Sequence, residues 1–343
     1  MGDDIVHRRI TVRRFGGPEE LRTVRATLPP PQPGHARLRV LAAGVGFTDL
    51  MARSGDYLLQ RRVPFTPGYE LVGEVVDAAP GEGDEAAPPP PGTRVAAALT
   101  KMGAYSEYVS LPLRRLVPLP DGLDPVRAAA LPLDYLTAIS VLETHARVEP
   151  GDTVLIQGAG GGVGQAISTL GRLRGLTMYG TASSPGSAER LARHGVTFID
   201  YRREDVERRL RELEPGGVRA VFDHIGGANL GTGYRALAPG GVLVSYAFAG
   251  RPGRMVADTV RGAARVKLMN LRPGRRTALS MVPAEIKAGP AWYRESLARV
   301  LQLAADGVVA PETGGVYPLT DAARVHAALE RREITGKVVL TPG

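Results

Sequence analysis

Apolar and polar positions in the first 125 residues follow the short alternation that β-strands produce. The stretches ARLRVLAAGV (36–45), YELVGEVVDAA (69–79) and TRVAAAL (93–99) have strand length and are separated by turn residues. Between the last two, the acidic, proline-rich segment 80–92 cannot pack into a core, and we expect it to be a surface loop. The front of the chain is therefore predicted to be a β-rich domain.

From about residue 126 the apolar spacing alternates between strand-length runs and helical segments. The predicted strands are TVLIQG (153–158), TMYGTAS (177–183), TFIDY (197–201), AVFDHIG (220–226) and GVLVSYAF (241–248). A helical pattern follows each of the first four, and TALSMVP (277–283) is a candidate for a further strand. Such alternation predicts an α/β domain with a doubly wound parallel sheet that carries helices on both faces.

The pattern of apolar positions changes again towards the end of the chain. The stretch WYRESLARVLQLAADG (292–307) predicts an amphipathic helix, whereas the closing strand KVVLT (337–341) resembles the β-rich front more than the alternating middle. We therefore expect the end of the chain to return to the first domain. The predicted division is a domain of residues 1–125, completed by 307–343, and an α/β domain of residues 126–306.

Composition and charge narrow the class of protein. The formal net charge of +8 is carried mostly by arginines spread along the chain, so solvated arginines are expected and nucleic acid is not an expected partner. The absence of cysteine excludes disulfides and Cys-ligated metal sites. The longest apolar stretch, residues 128–142, is too short to span a bilayer and contains Asp134. Because the first ten residues also lack a signal-peptide core, we expect a cytoplasmic protein with no membrane partner.

A glycine-rich turn follows the first strand of the predicted α/β domain, in GAGGGVG (158–164). Glycine permits a positive φ and lets main-chain N–H groups approach a diphosphate, which the N-terminus of the next helix also favours. A tight turn without a ligand is the alternative, but the strand–helix alternation that follows favours a dinucleotide site. The residues predicted to bind it are Gly158, Gly160, Gly161, Gly162, Val163 and Gly164.

The end of the second strand indicates which dinucleotide binds. An NAD site usually has an acidic residue there for the ribose hydroxyls, whereas this strand ends in GTASSP (180–185). Ser183 and Ser184 can hydrogen-bond a 2′-phosphate without repelling it, and Tyr201 and nearby arginines can support it. The serines can also cap the next helix. The missing acid favours NADPH as the cofactor.

Ligands of open α/β sheets bind outside the carboxyl ends of the strands, which singles out further residues. His224 lies at such an end and is either part of the adenosine or nicotinamide pocket or a structural histidine. Phe248 and Ala249 follow the next strand and are predicted to border the nicotinamide. Asn270 and Leu271, beside an arginine-rich loop, are predicted to close over the cofactor or the substrate.

Taken together, these motifs resemble the medium-chain dehydrogenase/reductase superfamily, in its zinc-free quinone oxidoreductase and enoyl reductase branch. The segments that carry the resemblance are AAGVGFTDLMARSGDY, FTPGYELVGEVV, GAYSEYVSLP, AAALPLDYLTA, GAGGGVGQA, VFDHIGG, LAPGGVLV and TGKVVL. The resemblance implies a GroES-like β-barrel catalytic domain completed by the end of the chain, a Rossmann domain, NADPH and a homodimer.

The resemblance also implies roles for individual residues. Thr48 and Tyr57 are placed near the substrate, and Tyr135 and Thr137 near the nicotinamide ribose and phosphate. Asp49 is expected to hold the loop that carries Thr48. Thr48, Tyr57 and Tyr135 are therefore candidate catalytic groups, and Thr137 is a candidate cofactor contact.

Two comparisons with the family pattern concern metal and substrate. Zinc-dependent relatives have ligands where this chain has Gly46 and Tyr69, and no tetrahedral site can be assembled from the motif spacing, so no metal is predicted. Quinone reductases usually have Asn in place of Gly46, Tyr in place of Met51, Asn in place of Asp134 and a phosphate-binding Lys in place of Ser187. Asp134 is either a solvated carboxylate or a catalytic proton donor whose pKa is raised by burial.

Three functions fit these features. The first is an NADPH-dependent reductase that transfers hydride to an activated C=C bond or a quinone, in which a donor must stabilise the charge that builds on the carbonyl oxygen. The second is a tailoring reductase for a polyketide-like enone or carbonyl. The third is a non-enzymatic NADPH-binding protein, because the Asn and Tyr positions of the relatives are lost. The sequence predicts the first, with a small-molecule substrate.

Overall fold

The computed structural model describes residues 3–81, 87–183 and 186–343. The strands are β1 (Ile5–Val12), β2 (Leu21–Leu28), β3 (His35–Val45), β4 (Glu70–Ala78), β5 (Arg94–Ala98), β6 (Tyr108–Pro112), β7 (Val117–Pro118), β8 (Thr153–Gln157), β9 (Thr177–Ala182), β10 (Val196–Asp200), β11 (Val218–Asp223), β12 (Leu237–Ser245), β13 (Arg276–Leu279), β14 (Thr313–Pro318) and β15 (Lys337–Thr341).

Helices connect most of these strands. They are α1 (Phe47–Ser54), α2 (Pro125–Ala129), α3 (Pro132–Ile139), α4 (Gly162–Leu173), α5 (Ser187–Arg193), α6 (Val206–Leu213), α7 (Ala228–Ala236), α8 (Met255–Met269), α9 (Val282–Ala288), α10 (Pro290–Ala305) and α11 (Ala322–Glu330). A π-helical segment, Ser140–Ala146, continues α3, and three-residue 3₁₀ turns lie at Pro18–Glu20, Leu113–Arg115 and Leu319–Asp321. No helix in the described ranges is both long enough and apolar enough to cross a membrane.

The chain forms two compact units, one of Met1–Leu133 with Pro283–Gly343 and the other of Asp134–Val282. These boundaries differ from the predicted 125/126 and 306/307, because α10 packs with the first unit. The hydroxyl of Tyr293 in α10 donates to the carbonyl of Arg115 (2.7 Å) and accepts the N–H of Ala98 (3.0 Å). The amphipathic pattern of α10 identifies an apolar face, but it does not say which unit covers that face.

The first unit is built on a seven-stranded sheet in the order β14-β15-β3-β4-β5-β7, with β6 also paired to β3. All of its pairings are antiparallel except the parallel pair β14–β15. The closing strand β15 lies directly beside β3, with Val338 opposite Val45. The last residues of the chain therefore complete the sheet of its front part, and β1 and β2 form a separate antiparallel pair.

The second unit is a six-stranded sheet in the order β10-β9-β8-β11-β12-β13, in which every pairing is parallel. Val154, Leu155 and Ile156 are consecutive residues of β8, and each is fully buried. Because consecutive strand residues point to opposite faces, both faces of this sheet are covered. The prediction of an α/β fold with a doubly wound parallel sheet is confirmed.

Candidate functional site

The glycine-rich turn of the second unit contains two glycines that the protein's own packing requires. Gly158, directly after β8, has φ +73°, and a Cβ there would overlap the imidazole of His224. A Cβ at Gly164, inside the first turn of α4, would lie 2.7 Å from Ala159 Cα. These two glycines therefore shape the turn and let α4 approach β8, whether or not a ligand binds.

Two other glycines in the same turn leave space that the protein does not fill. A Cβ at Gly160 would meet no described heavy atom closer than 3.8 Å, and one at Gly161 none closer than 3.7 Å. Gly161 is the N-cap of α4 and, being a glycine, supplies no side-chain cap. The space at Gly160 and Gly161 therefore lies at the positive end of the helix dipole, where a diphosphate would bind.

Asp134 lies at the same turn. Its carboxylate sits against Gly162, where a Cβ would overlap it. The side chain is half-buried and has an interaction partner, so Asp134 is not simply a solvated loop carboxylate. The N-terminus of α4 stabilises a negative charge here, and the same charge would oppose a bound anion nearby.

The ends of β9 and β10 bring two of the predicted phosphate contacts together. Ser183 donates a hydrogen bond to the hydroxyl of Tyr201 (2.7 Å), and Tyr201 is half-exposed. Arg190 in α5 donates to the buried hydroxyl of Ser187 (3.3 Å). Ser184 lies outside the described residues. This edge therefore presents hydroxyls and a guanidinium, a suitable set for a phosphate ester.

His224 follows β11 and packs against the glycine-rich turn. Its Nδ1 lies 3.1 Å from the hydroxyl of Tyr246, and its carbonyl accepts the N–H of Ala249 (2.8 Å). Burial lowers the pKa of His224 to about 4, so the imidazole is neutral at pH 7. Phe248 covers Gly226, where a Cβ would lie 2.9 Å from its ring. His224, Phe248 and Ala249 thus lie together at the carboxyl ends of the strands.

Tyr246 was missed by the sequence analysis, although a signal for it existed. It comes directly after Ser245, the last residue of β12, at the sheet edge where ligands of such folds bind. Burial raises its pKa well above the usual value for tyrosine, so its hydroxyl remains protonated and can donate to His224 or to a ligand.

Four further predicted residues lie in other surroundings. Tyr135 is buried and its hydroxyl is hydrogen-bonded to Thr169 of α4, while burial raises the pKa of Tyr135 to about 12. Thr137 is also buried. Asn270 accepts the N–H of Thr277 (2.8 Å) at the beginning of β13, and Leu271 is next to it. Because the sheet is parallel, Asn270 and Leu271 lie at the edge opposite the glycine-rich turn.

In the first unit, Asp49 holds the segment at the start of α1 that includes Thr48. Its buried carboxylate accepts the N–H groups of Gly46 (2.8 Å) and Gly68 (2.9 Å) and the hydroxyl of Tyr105 (3.3 Å). It thereby joins the start of α1 to the loop before β4, the role that the resemblance implied. The hydroxyl of Tyr105 also lies 3.3 Å from Nε2 of the fully buried His326. Sequence reasoning missed both Tyr105 and His326, because no local pattern links them to Asp49.

Three hydroxyl groups, those of Thr48, Tyr57 and Tyr69, lie in or near this segment. The Thr48 hydroxyl is buried and has no hydrogen-bond partner in the described part of the chain. Tyr57 and Tyr69 share a hydrogen bond, and their rings meet edge to face at 6.1 Å. Burial raises the pKa of both tyrosines, so both remain protonated at neutral pH. A buried hydroxyl without a partner is costly, which makes Thr48 the group best placed to gain from a ligand.

We expect the Asp49→Asn variant to lose part of the pH dependence of folding stability. Burial raises the pKa of Asp49 to about 6 in the folded protein, against a reference value of 3.8. The folded protein therefore retains a proton that the unfolded chain releases, and this contribution to stability is lost as pH rises from about 4 to about 6. The free energy of unfolding of the wild type, relative to the variant, should fall by about 2–3 kcal/mol across that window. Urea unfolding at a series of pH values measures it, with the exposed Asp121→Asn as control; parallel wild-type and Asp49→Asn curves would contradict the assignment.

Glu70 is held by a residue from the other end of the chain. It forms a buried ion pair with Lys337 of β15 and accepts the N–H of Leu133 (2.8 Å). Glu70, which directly follows Tyr69 at a zinc-ligand position of relatives, is thus paired with a cation of the protein itself. Within the described ranges, the structure contains no group of three or more His, Asp or Glu side chains placed to hold a metal ion.

Comparison with known protein families matches both parts of the chain. Residues 32–121 match the alcohol dehydrogenase GroES-like domain, and residues 194–340 match a family described as zinc-binding dehydrogenase. The two matches together cover most of the chain.

Curated relatives align over almost the whole chain. The human synaptic vesicle membrane protein VAT-1 homolog is 33% identical over 96% of this chain and 85% of its own length. A quinone oxidoreductase of Pseudomonas aeruginosa is 34% identical over 98% of this chain and 99% of its own. A 2-haloacrylate reductase of a Burkholderia species is 32% identical over 96% and 98%, respectively.

A solved structure shares the architecture. Escherichia coli quinone oxidoreductase, crystallised with NADPH, superposes with a TM-score of 0.84 at 26% identity and covers 98% of this chain and 100% of its own. The GroES-like and Rossmann organisation predicted from the sequence is therefore confirmed.

Proposed function

Because the chain belongs to the medium-chain dehydrogenase/reductase superfamily, alongside its quinone oxidoreductases, we propose that it transfers hydride from NADPH to an activated C=C bond or a quinone. The protein is an oxidoreductase of this superfamily, and the solved relative contains NADP(H). The observation that carries the proposal is the space beside Gly160 and Gly161, which no described side chain fills, at the N-terminus of α4.

The residues of the second unit fit NADPH. The first-turn amides of α4 would bind the diphosphate, with Gly160 and Gly161 leaving room for it. Ser183, Tyr201 and Arg190 would bind the 2′-phosphate, and the absence of an acid at the end of β9 removes a repulsion that NADPH would otherwise meet. When bound, the nicotinamide would supply the hydride.

The roles of the second-unit residues follow from their contacts. His224, neutral at pH 7, and Ala249 would border the adenosine or the nicotinamide. Tyr135 and Thr137 would support the site from buried positions, since Tyr135 is already bonded to Thr169. Asp134 would tune the affinity for the diphosphate through its charge beside Gly162, rather than donate a proton.

The first unit offers the donors that this chemistry requires. Hydride addition to the β-carbon of an enone or to a quinone places negative charge on a carbonyl oxygen, which a preorganised hydroxyl can stabilise. Thr48 has a buried hydroxyl without a partner, and Tyr57 remains protonated at neutral pH. We propose Thr48 as the main donor to the substrate oxygen, with Tyr57 beside it and Asp49 holding the loop in place.

Two alternatives remain for the experiment to separate. A tailoring reductase for a polyketide-like enone would use the same groups, because specificity depends on loop side chains. A non-enzymatic NADPH-binding protein is favoured by Gly46 and Met51 at family positions usually occupied by Asn and Tyr, and by a relative whose name states no reaction. We also propose, from the family, that the protein acts in the cytoplasm as a homodimer.

Cofactor titration followed by a substrate panel tests these proposals. We expect NADPH to bind about tenfold or more tightly than NADH, because charge-assisted hydrogen bonds to the 2′-phosphate are lost with NADH. NADPH oxidation with quinones, enones and enoyl thioesters should then identify the substrate class. Binding without turnover on any member would favour the non-enzymatic alternative, and the lack of affinity for either nucleotide would refute the cofactor proposal.

A further inference from the structure

A pocket of about 440 Å³ in the second unit lies away from the glycine-rich turn. Residues of α7 and of the segment from α8 toward β13 line it, among them Gly231, Tyr234, Arg235, Arg265, Met269 and Arg272. The α8 residues precede β13, so this part of the pocket faces the edge where the strands begin. None of its lining residues takes part in the proposed cofactor or substrate contacts.

Two guanidinium groups converge in this pocket. A Cβ at Gly231 would lie 3.0 Å from Nη2 of Arg265 and 3.2 Å from Nη1 of Arg235, so both guanidinium groups pack against the bare backbone of this glycine. Other contacts hold them there: Arg235 donates from Nε to Glu207 (2.8 Å), and Arg265 donates from Nη1 to the carbonyl of Gly227 (2.7 Å). Because Glu207 already pairs with Arg235, the positive charge that is left to attract an anion comes mainly from Arg265 and the exposed Arg272.

The remaining walls of the pocket combine an apolar floor with further positive charge. Tyr234 and Met269 are buried, and the hydroxyl of Tyr234 donates to the carbonyl of Met269 (3.4 Å). The exposed Arg272 adds positive charge to the lining, and Arg275, which does not line the pocket, lies with its guanidinium 5.6 Å from the centre of the Tyr234 ring. The pocket thus has a cationic end and an apolar surface.

We propose that this pocket is a second ligand site, which binds a small organic oxyanion, a phosphate or carboxylate carried on an apolar body. Arginine matches such oxyanions because its planar guanidinium offers parallel N–H donors. Gly231 is the residue that lets the two guanidinium groups lie close to α7, and Tyr234 and Met269 would contact the apolar body. The proposal stands independently of the proposed reductase activity.

Titration calorimetry of the full chain with phenyl phosphate, inorganic phosphate and phenol tests this site. We expect phenyl phosphate to bind more tightly than inorganic phosphate, and phenol not to bind. Arg265→Ala should weaken phenyl phosphate binding about tenfold, and Arg265→Lys should restore it only in part, since lysine lacks the fork. Gly231→Ala should weaken it to a similar extent while keeping every charge. The exposed Arg22→Ala in the first unit is the matched control and should bind as the wild type does.

Several results would overturn the proposal. Equal affinities for the two phosphates, together with wild-type binding by a folded Gly231→Ala variant, would show non-specific attraction to surface charge. Loss of phenyl phosphate binding in saturating NADPH would place the probe in the cofactor site. If vesicles containing phosphatidic acid bound in an Arg265-dependent manner while phenyl phosphate did not, the patch would be a lipid-binding surface. Thermal melting followed by circular dichroism checks that each variant is folded. Gly231→Ala is expected to fold, because alanine is a better helix former than glycine in the middle of a helix.

Discussion

The Gly161→Ala variant is expected to fold as the wild type does and to lose NADPH affinity by about 100-fold, the equivalent of one or two charge-assisted amide contacts. Among the described residues other than its chain neighbours, a Cβ at Gly161 meets no heavy atom closer than 3.7 Å, and the residue has an extended backbone with φ −82° and ψ 170°, which alanine adopts without strain. The new methyl group would occupy the surface through which the proposed diphosphate reaches the first-turn amides of α4. Fluorescence titration with NADPH and thermal melting of the same preparations measure the two properties separately.

Two other glycines serve as controls for this variant. A Cβ at Gly216 would meet nothing within 4 Å, so Gly216→Ala should change neither stability nor NADPH affinity. Gly164→Ala should reduce stability, because its Cβ would lie 2.7 Å from the Ala159 backbone. If Gly161→Ala bound NADPH as tightly as the wild type, the diphosphate would not contact this corner and the proposed cofactor site would be refuted.

The Lys337→Met variant is expected to lose about 3–5 kcal/mol of stability in the first unit, as when one partner of a buried ion pair is removed. Glu70 and Lys337 are both buried, and Glu70 would remain as a buried carboxylate that has lost this cation. The deficit should shrink as pH falls, since protonation of Glu70 removes that charge. Hydrogen exchange of the amides in β15 and β3 reports on this unit directly, and urea unfolding gives the free energy.

The double variant Glu70→Gln, Lys337→Met separates charge from packing. Because it leaves no unpaired charge, it should recover most of the stability that Lys337→Met loses. The amide oxygen of the new side chain can still accept the N–H of Leu133. A double variant as unstable as the single one, with no dependence on pH, would mean that Lys337 stabilises the sheet through its hydrocarbon stem alone.

Local patterns predicted the second unit in some detail. The strand runs at 153–158, 177–183 and 220–226 correspond to β8, β9 and β11, and the glycine-rich turn lies between β8 and α4 as expected. These features depend on residues a few positions apart, so apolar periodicity and the backbone freedom of glycine are enough to specify them. The same applies to the meeting of Ser183 with Tyr201, since both follow adjacent parallel strands.

Contacts between distant segments could not be predicted in this way. Asn270 and Leu271 were expected over the cofactor, but the pairing of β13 with β12 places them at the opposite edge of the sheet. The amphipathic helix α10 was assigned to the α/β domain because its pattern shows an apolar face without naming what covers it. The hydrogen bond of Tyr135, a candidate donor, to Thr169 of α4 likewise joins segments that no local pattern links.

The sequence by itself determined the class of fold, the glycine-rich turn and the absence of cysteine chemistry, because each is a property of composition or of neighbouring residues. Only the tertiary structure decided which glycines are open and which are packed, that Asp49 is held by Tyr105, and that Lys337 neutralises Glu70. The physical reason is that burial, steric contact and charge pairing depend on distances in space. Residues that are 267 positions apart in the chain, such as Glu70 and Lys337, acquire those distances only when the sheet forms.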